Sequence, residues 1–583
     1  MSSLIRRIQQ FGRMVSVASL TALMAAWSPT AAFSQDGVVA RQQQPGQVAT
    51  PQQTPPAQNP ITQPLALSPP VTRDRVGIRA GEIQALAMQD AIGLALQNNL
   101  DIEQFRQGVR IAEYSLFSLR GFYDYTSTGD VGFRNSINPT SSTLSGGASG
   151  TLTNKSVFYN FTTSKQFEQT GGNLFAEFDN SRSRSSNIFN GLNPQYNTTL
   201  TFTYTQPLLR NFSLDATRRS IQLAKKTLDL SDSQFRQRVI EIINQVQRAY
   251  WDLVFAIRNE KIARDSVDLA QTQLDNNRKM VDAGTLAPIE LRSTEAQLET
   301  AKGNVIVALQ GITTAENTLK SLLLKDPNDK VWYSEITPTD EPLFGQVAFD
   351  LEESTRLALK NRPELDQMRL QTEQKEIDIK YYKNQLKPQI DFVGTYTNTG
   401  LAGAPANAVD VGGGGGSTVL QRFQGGYLQS LRNLFGQDFR TYQVGVHLSI
   451  PWRNRTAEGN LGRTLAEQRQ LDARQRQLVE LVQVDVRNAL QAVVASRQRY
   501  EAAQAGELAA EAQYNGELER YRAGLSTNFV VLQRLTDLSV ARGTKVRALT
   551  DYNKALADLQ RVTGMTLVSN NVQISANPAE VKK

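Results

Sequence analysis

Hydrophobic positions along this chain follow two periods, and the two periods alternate twice. From about 215 to 282, Val239, Val246 and Leu253 are spaced by seven, as are Ile243, Tyr250 and Ile257. A strict seven-residue repeat predicts a helix packed on its neighbours in coiled-coil fashion. A second such stretch runs from about 456 to 522, and neither contains proline. Each predicts a helix on the order of 100 Å long. Elsewhere the period drops to two. Leu200, Phe202 and Tyr204 alternate with Thr201, Thr203 and Thr205. Tyr442, Val444, Val446, Leu448 and Ile450 alternate with Gln443, Gly445, His447 and Ser449. These stretches predict strands with one apolar, aromatic-rich face. Upstream partners are Tyr123, Tyr125, Val131 and Phe133, then Ile390, Phe392 and Tyr396. Stretches near 155–166 and 172–180 predict an extra hairpin, and Gly412 to Gly416 predict a loop.

The alternation is a duplication with an offset of about 240 residues. Val239, Ile242, Val246, Ala249 and Leu253 match Val479, Val482, Val486, Ala489 and Val493. Leu298, Ala301, Gly303, Ala308 and Leu319 match Leu538, Ala541, Gly543, Ala548 and Leu559. A helix from Met88 to Ile102 is echoed by Leu351 to Leu365. The boundaries this predicts are a first repeat over 81–330, a second over 345–570 and a tail over 571–583. Each repeat reads helix, strands, very long helix, turn, helix. At the turns stand Ala283-Gly284 and Ala523-Gly524, where a positive φ costs glycine least. Pro288, and Ser526 or Thr527, restart the next helix.

Composition narrows the chemistry. There is no cysteine and one histidine, His447. Disulfides, thiolate sites, a lipid-modified cysteine and a Ser/His/Asp triad therefore have no material or almost none. No catalytic, cofactor or metal site is expected. The net charge of +7 is spread among interleaved acids and bases, which fits a solvated face and not a nucleic-acid surface. Residues 1–34 read as an export signal: Arg6, Arg7 and Arg13 precede an apolar run from Met14 to Trp27, with Ala32 and Ser34 placed for cleavage. Residues 35–80 form a Pro/Gln-rich arm unable to bury a core. No later stretch approaches the roughly twenty apolar residues of a membrane helix.

The strands have two readings, a sheet on a soluble core and a membrane barrel. Export, the aromatic face and the Thr, Gln and Ser of the other face favour the barrel. One chain has too few strands to close one, and open edges are not tolerated in lipid, so several chains must contribute. Thr201, Thr203, Thr205, Gln443, His447 and Ser449 would then line the lumen. Glu290 reads first as a glutamate in a helix's first turn, stabilised by the dipole. Its functional reading is a charged ring at a pore mouth.

Taken together, the chain resembles the TolC-like outer-membrane efflux channels. The resemblance rests on Ala95-Leu96-Gln97-Asn98 and Ala358-Leu359-Lys360-Asn361, on Gln206-Pro207-Leu208-Leu209 and Ile450-Pro451-Trp452, and on the turns ending at Gly284 and Gly524. It implies a mainly α protein with membrane β structure. Three copies would share a twelve-stranded outer-membrane β-barrel, four strands each, continuous with a long periplasmic α-helical barrel. The implied partners are two further copies, a periplasmic adaptor, an inner-membrane pump and outer-membrane lipid. The resemblance also implies acidic residues six and nine positions past each turn glycine that help close the tip. Those positions are Glu290 and Ser293, then Val530 and Gln533, so only Glu290 keeps the charge. Tyr521 is a further gate residue, and Gly284, Gly524, Ala283 and Ala523 form the adaptor-docking tip. The function expected is a passive exit duct for efflux or type I secretion. The alternatives are a non-conducting periplasmic tether and an exported enzyme on a helical scaffold.

Overall fold

The computed structural model describes residues 81–141, 150–345, 350–406 and 419–574, with Ser68, Thr72, 74–79 and Gly147. The export signal, nearly all of the Pro/Gln-rich arm, the Gly412–Gly416 loop and most of the C-terminal tail lie outside the described residues.

The first repeat comprises strand β1 (Ile83–Leu86), helices α1 (Met88–Asn98) and α2 (Leu100–Arg120), strands β2 (Thr126–Pro139), β3 (Thr151–Gln166), β4 (Asn173–Ser185) and β5 (Leu192–Pro207), and helices α3 (Ala216–Asp282) and α4 (Ile289–Leu323). The second comprises β6 (Glu335–Pro338), α5 (Leu351–Asn361), α6 (Pro363–Gln385), β7 (Gln389–Pro405), α7 (Tyr427–Phe435), β8 (Arg440–Ser449), α8 (Arg455–Arg522) and α9 (Asn528–Val562). A short α10 (Thr566–Ser569) follows. The two strands that open the repeats, β1 and β6, pair in parallel.

The predicted Met88–Ile102 helix is broken at Asn99. That residue is extended, with φ −64° and ψ 125°, and its side-chain oxygen accepts from the amides of Asp101 and Ile102 at 3.0 and 3.2 Å. It thus caps α2. The second repeat breaks at the equivalent place by another device: Pro363 occupies the first position of α6, where its missing N–H costs nothing.

The two long helices carry 67 and 68 residues. Near the strands α3 packs on α2 and α6; farther along its length α4 and α9 take over these places. One apolar cluster joins Val239, Ile242, Val246, Tyr250 and Leu253 of α3 to Ile92, Ile102, Ile312 and Leu319. A second, nearer the turns, joins Ala270, Leu274 and Leu298 to Tyr514, Tyr521, Val531 and Leu535. Among the described residues no helix is long and apolar enough to cross a membrane.

The remaining strands form one six-stranded antiparallel sheet in the order β2-β3-β4-β5-β7-β8. That is two strands more than the four-strand share implied by the resemblance. The difference is the hairpin β3–β4, whose 16 and 13 residues are inserted between β2 and β5 as full members of the sheet.

Candidate functional site: the helical tip and the two-faced sheet

Both long hairpins turn in the same way. Gly284 has φ +70° and Gly524 φ +73°. Gly284 donates to the Val281 carbonyl at 2.9 Å, and Thr285 to that of Met280 at 2.9 Å. Gly524 and Leu525 repeat the pair on Tyr521 and Arg520 at 3.0 and 2.9 Å. This is the Schellman arrangement, which uses a left-handed residue to satisfy the last carbonyls. Ala283, Gly284, Ala523 and Gly524 are all exposed. Beside them Leu525 and Phe529 also face solvent.

Just inside the turns lies a polar network that spans all four long helices. Asn277 of α3 donates to Thr294 of α4 and to Asn528 of α9, both at 2.8 Å. The Tyr521 hydroxyl of α8 donates to Asn277 Oδ1 at 2.9 Å. Gln273 reaches the side-chain oxygens of Asn277 and Asn528 at 3.1 and 3.3 Å. Asn528 Nδ2 faces Thr294, Ser293 and the Glu290 carboxylate at 3.0, 3.2 and 3.3 Å. Asn277, Thr294 and Asn528 are 0–1% exposed, so each bond replaces water that cannot enter. Burial, and then the Glu290 charge, raise the Tyr521 phenol above its ordinary range.

Of the sequence-derived gate residues, Tyr521 and Glu290 enter this network. Val530 is half-buried, and Gln533 is exposed and turned to Asp537 on its own helix. Sequence reading missed Asn277, Thr294, Asn528 and Gln273. A signal for Asn277 exists. It ends a buried seven-residue stripe of α3 formed by Ile242, Ala249, Ala256, Ala263 and Ala270. A polar residue on such a stripe fixes register at a cost in stability.

At the other end of the molecule the sheet has two chemically distinct faces. The registers put Val131, Phe133, Phe161, Phe178, Leu200, Phe202, Tyr396, Tyr442 and Val444 on one of them. Thr201, Thr203, Thr205, Gln443, His447 and Ser449 fall on the other. There Thr201 meets Thr397 at 3.2 Å and Thr203 meets Thr395 at 3.5 Å. The acids of the six strands, Asp130, Glu177, Asp179 and Asp391, all belong to this polar face. The edge strands β2 and β8 are exposed almost throughout. Among the described residues no cluster of three His, Cys, Asp or Glu side chains could hold a metal.

The family description "outer membrane efflux protein" matches residues 173–323 and 355–565, more than half of the chain. No curated relative matches by sequence. Among solved structures, a membrane protein from Pseudomonas aeruginosa aligns with TM-score 0.58 and 15% identity, over 82% of this chain and 90% of that one. The outer-membrane channel OprN aligns with TM-score 0.57 and 14% identity, over 86% and 97%. The Campylobacter jejuni CmeC outer membrane channel aligns with TM-score 0.57 and 15% identity, over 89% and 94%. At such identities these likenesses speak for the fold, while the family match covers both repeats: this chain belongs to the outer membrane efflux protein family.

Proposed function

We propose that the protein is the outer-membrane exit duct of a tripartite efflux pump or type I secretion system, through which substrate passes passively. The observation that carries this reading is the two-faced sheet with open edges, set above four long helices. A sheet in lipid must have no free edge. Here β2 and β8 are free, so further copies supply their partners. With the threefold assembly of the family, three six-stranded sheets make an eighteen-stranded barrel and not a twelve-stranded one. Barrel diameter grows roughly in proportion to strand number, so the lumen is about half as wide again. The polar face, with its threonine rows and four carboxylates, turns inward and the aromatic face meets lipid. The helices continue the duct into the periplasm.

At the tip, the buried network holds the four helices of each copy together and keeps the entrance narrow. The exposed turns at Gly284 and Gly524, with Leu525 and Phe529, receive the periplasmic adaptor, and an inner-membrane pump supplies the energy. Transport of this kind requires no bond-making chemistry. Proteoliposomes carrying the purified protein should take up small polar solutes once the tip is loosened by Asn528→Ala. Liposomes that stay impermeable, with a protein fractionating as periplasmic and failing to form a heat-resistant trimer, would favour a structural tether instead.

A further inference from the structure

We propose that the outer surface of the barrel carries a built site for a phosphate-bearing lipid of the outer leaflet, organised by helix α7. The inference rests on the barrel reading above, because it needs the aromatic face to meet lipid. Helix α7 does not project beyond the sheet as a loop would. It lies flat on the aromatic face. Its Ser430 hydroxyl meets Thr198 of β5 at 2.8 Å. Its Leu434 carbonyl accepts from Asn398 of β7. Its Tyr427 hydroxyl donates to Asn180 of β4 at 3.0 Å, and its ring packs edge-on against Tyr159 of β3. The approach is so close that a Cβ on Gly400 would fall 2.1 Å from the Ser430 carbonyl oxygen.

The exposed side of α7 is more apolar than that of a helix on a soluble core. Ser430, Asn433 and Leu434 are buried against the sheet, whereas Leu428 and Phe435 are 80% and 68% exposed. Seven residues apart, they point away from the protein from one face of the helix. A short helix that turns two large apolar side chains outward is suited to lie against acyl chains.

The strand charges on the face it covers are of one sign. Lys155, Arg182, Arg184 and Arg440 share the aromatic face with α7. No carboxylate of the six strands lies on that face. Counted from the inner ends of the strands, these four sit roughly nine to eleven residues up and the α7 contacts roughly seven to eleven. At about 3.3 Å per residue and a tilt near 45°, that places the cations roughly 21–26 Å and the α7 contacts roughly 16–26 Å above the inner boundary. The apolar band of such barrels is about 25 Å tall. The cations therefore coincide with the outer headgroup layer, where basic side chains meet lipid phosphates, and α7 reaches from that layer into the upper acyl region.

The test uses the full-length trimer, inserted in vesicles and then extracted for native mass spectrometry with lipid A or phosphatidylcholine as probe. Insertion is scored first, because a chain that fails to insert contradicts the barrel reading, whereas a chain that inserts tests the lipid site itself. The wild type should retain lipid A and not phosphatidylcholine through extraction. K155A/R182A/R184A/R440A should lower lipid A retention about tenfold while leaving the heat-resistant trimer intact. Leu428→Ser with Phe435→Ser should weaken it with every cation in place. Equal retention of the two lipids, unchanged retention in the fourfold variant, or full displacement by millimolar inorganic phosphate would overturn the proposal.

Discussion

The hydroxyl of Tyr521 donates a 2.9 Å hydrogen bond to the side-chain oxygen of Asn277, 244 residues earlier in the chain. That bond ties the end of α8 to the end of α3. The same asparagine donates onward to α4 and α9, so one buried side chain is shared by all four helices that form the tip.

Removing a member of this network should loosen the tip more than its size suggests. Asn528→Ala leaves the amides of Asn277 and Gln273 short of an acceptor in a dry site, a cost of about 1–3 kcal/mol. Tyr521→Phe removes one neutral donor and should cost about 1 kcal/mol. Hydrogen exchange of tip amides should accelerate in both, more in Asn528→Ala, while amides around Val246 and Tyr250 keep their protection. Uniform acceleration along the helices would show that the network has no local role.

Alkaline pH should weaken the same region. Burial, and then the Glu290 carboxylate, raise the Tyr521 phenol; burial likewise raises that of Tyr514, against the pull of Arg522 and Arg542. A raised folded value means the native state holds its proton more tightly than the unfolded chain does. The contribution is complete below the unfolded value of about 10 and is lost as pH climbs through the folded one. Stability at the tip should therefore be flat across neutral pH and fall only above about pH 10. In Tyr521→Phe the fall should be shallower, followed by thermal melting across an alkaline series.

The turn glycines should be unequal in consequence although equal in geometry. At φ +70° and +73°, alanine costs about 1–2 kcal/mol at either site. Proline cannot adopt these angles and also loses the amide that Gly524 donates to Tyr521 at 3.0 Å. Gly524→Pro should reduce adaptor binding and export and leave the trimer on gels, because Gly524 lies three residues from the network tyrosine. Loss of the trimer would make the turn an architectural element.

The chain has no cysteine, so single cysteines report the faces of the sheet directly. Thr203→Cys and Gln443→Cys should react with a charged, membrane-impermeant thiol reagent in reconstituted protein. Phe202→Cys and Val444→Cys should be protected by lipid. The opposite pattern would reverse the assignment of the faces.

The long helices and the two main strand pairs were legible because each repeats one period over many residues. Thr201 and Phe202 differ in face by simple alternation, and Val239 to Leu253 by sevens. Elements that break a period were not. The pair β1–β6 has four residues in each strand, too few to show alternation. Helix α7 buries Ser430 and Asn433 and turns Leu428 and Phe435 outward, so no apolar inner stripe marks it in the sequence. The tip network escaped because Gln273 and Asn277, four apart and polar, resemble a solvated helix face. Only the alanine stripe running down to Asn277 distinguishes them. The strand count shifted because alternation predicts strands but not which sheet they join.

The most direct measurement is single-channel recording of the purified trimer in a planar bilayer, beside Asn528→Ala. A discrete conductance that is low in the wild type and several-fold higher in the variant is expected, with the variant approaching the width of an eighteen-stranded lumen. A trimer that inserts stably yet conducts in neither form would contradict the duct.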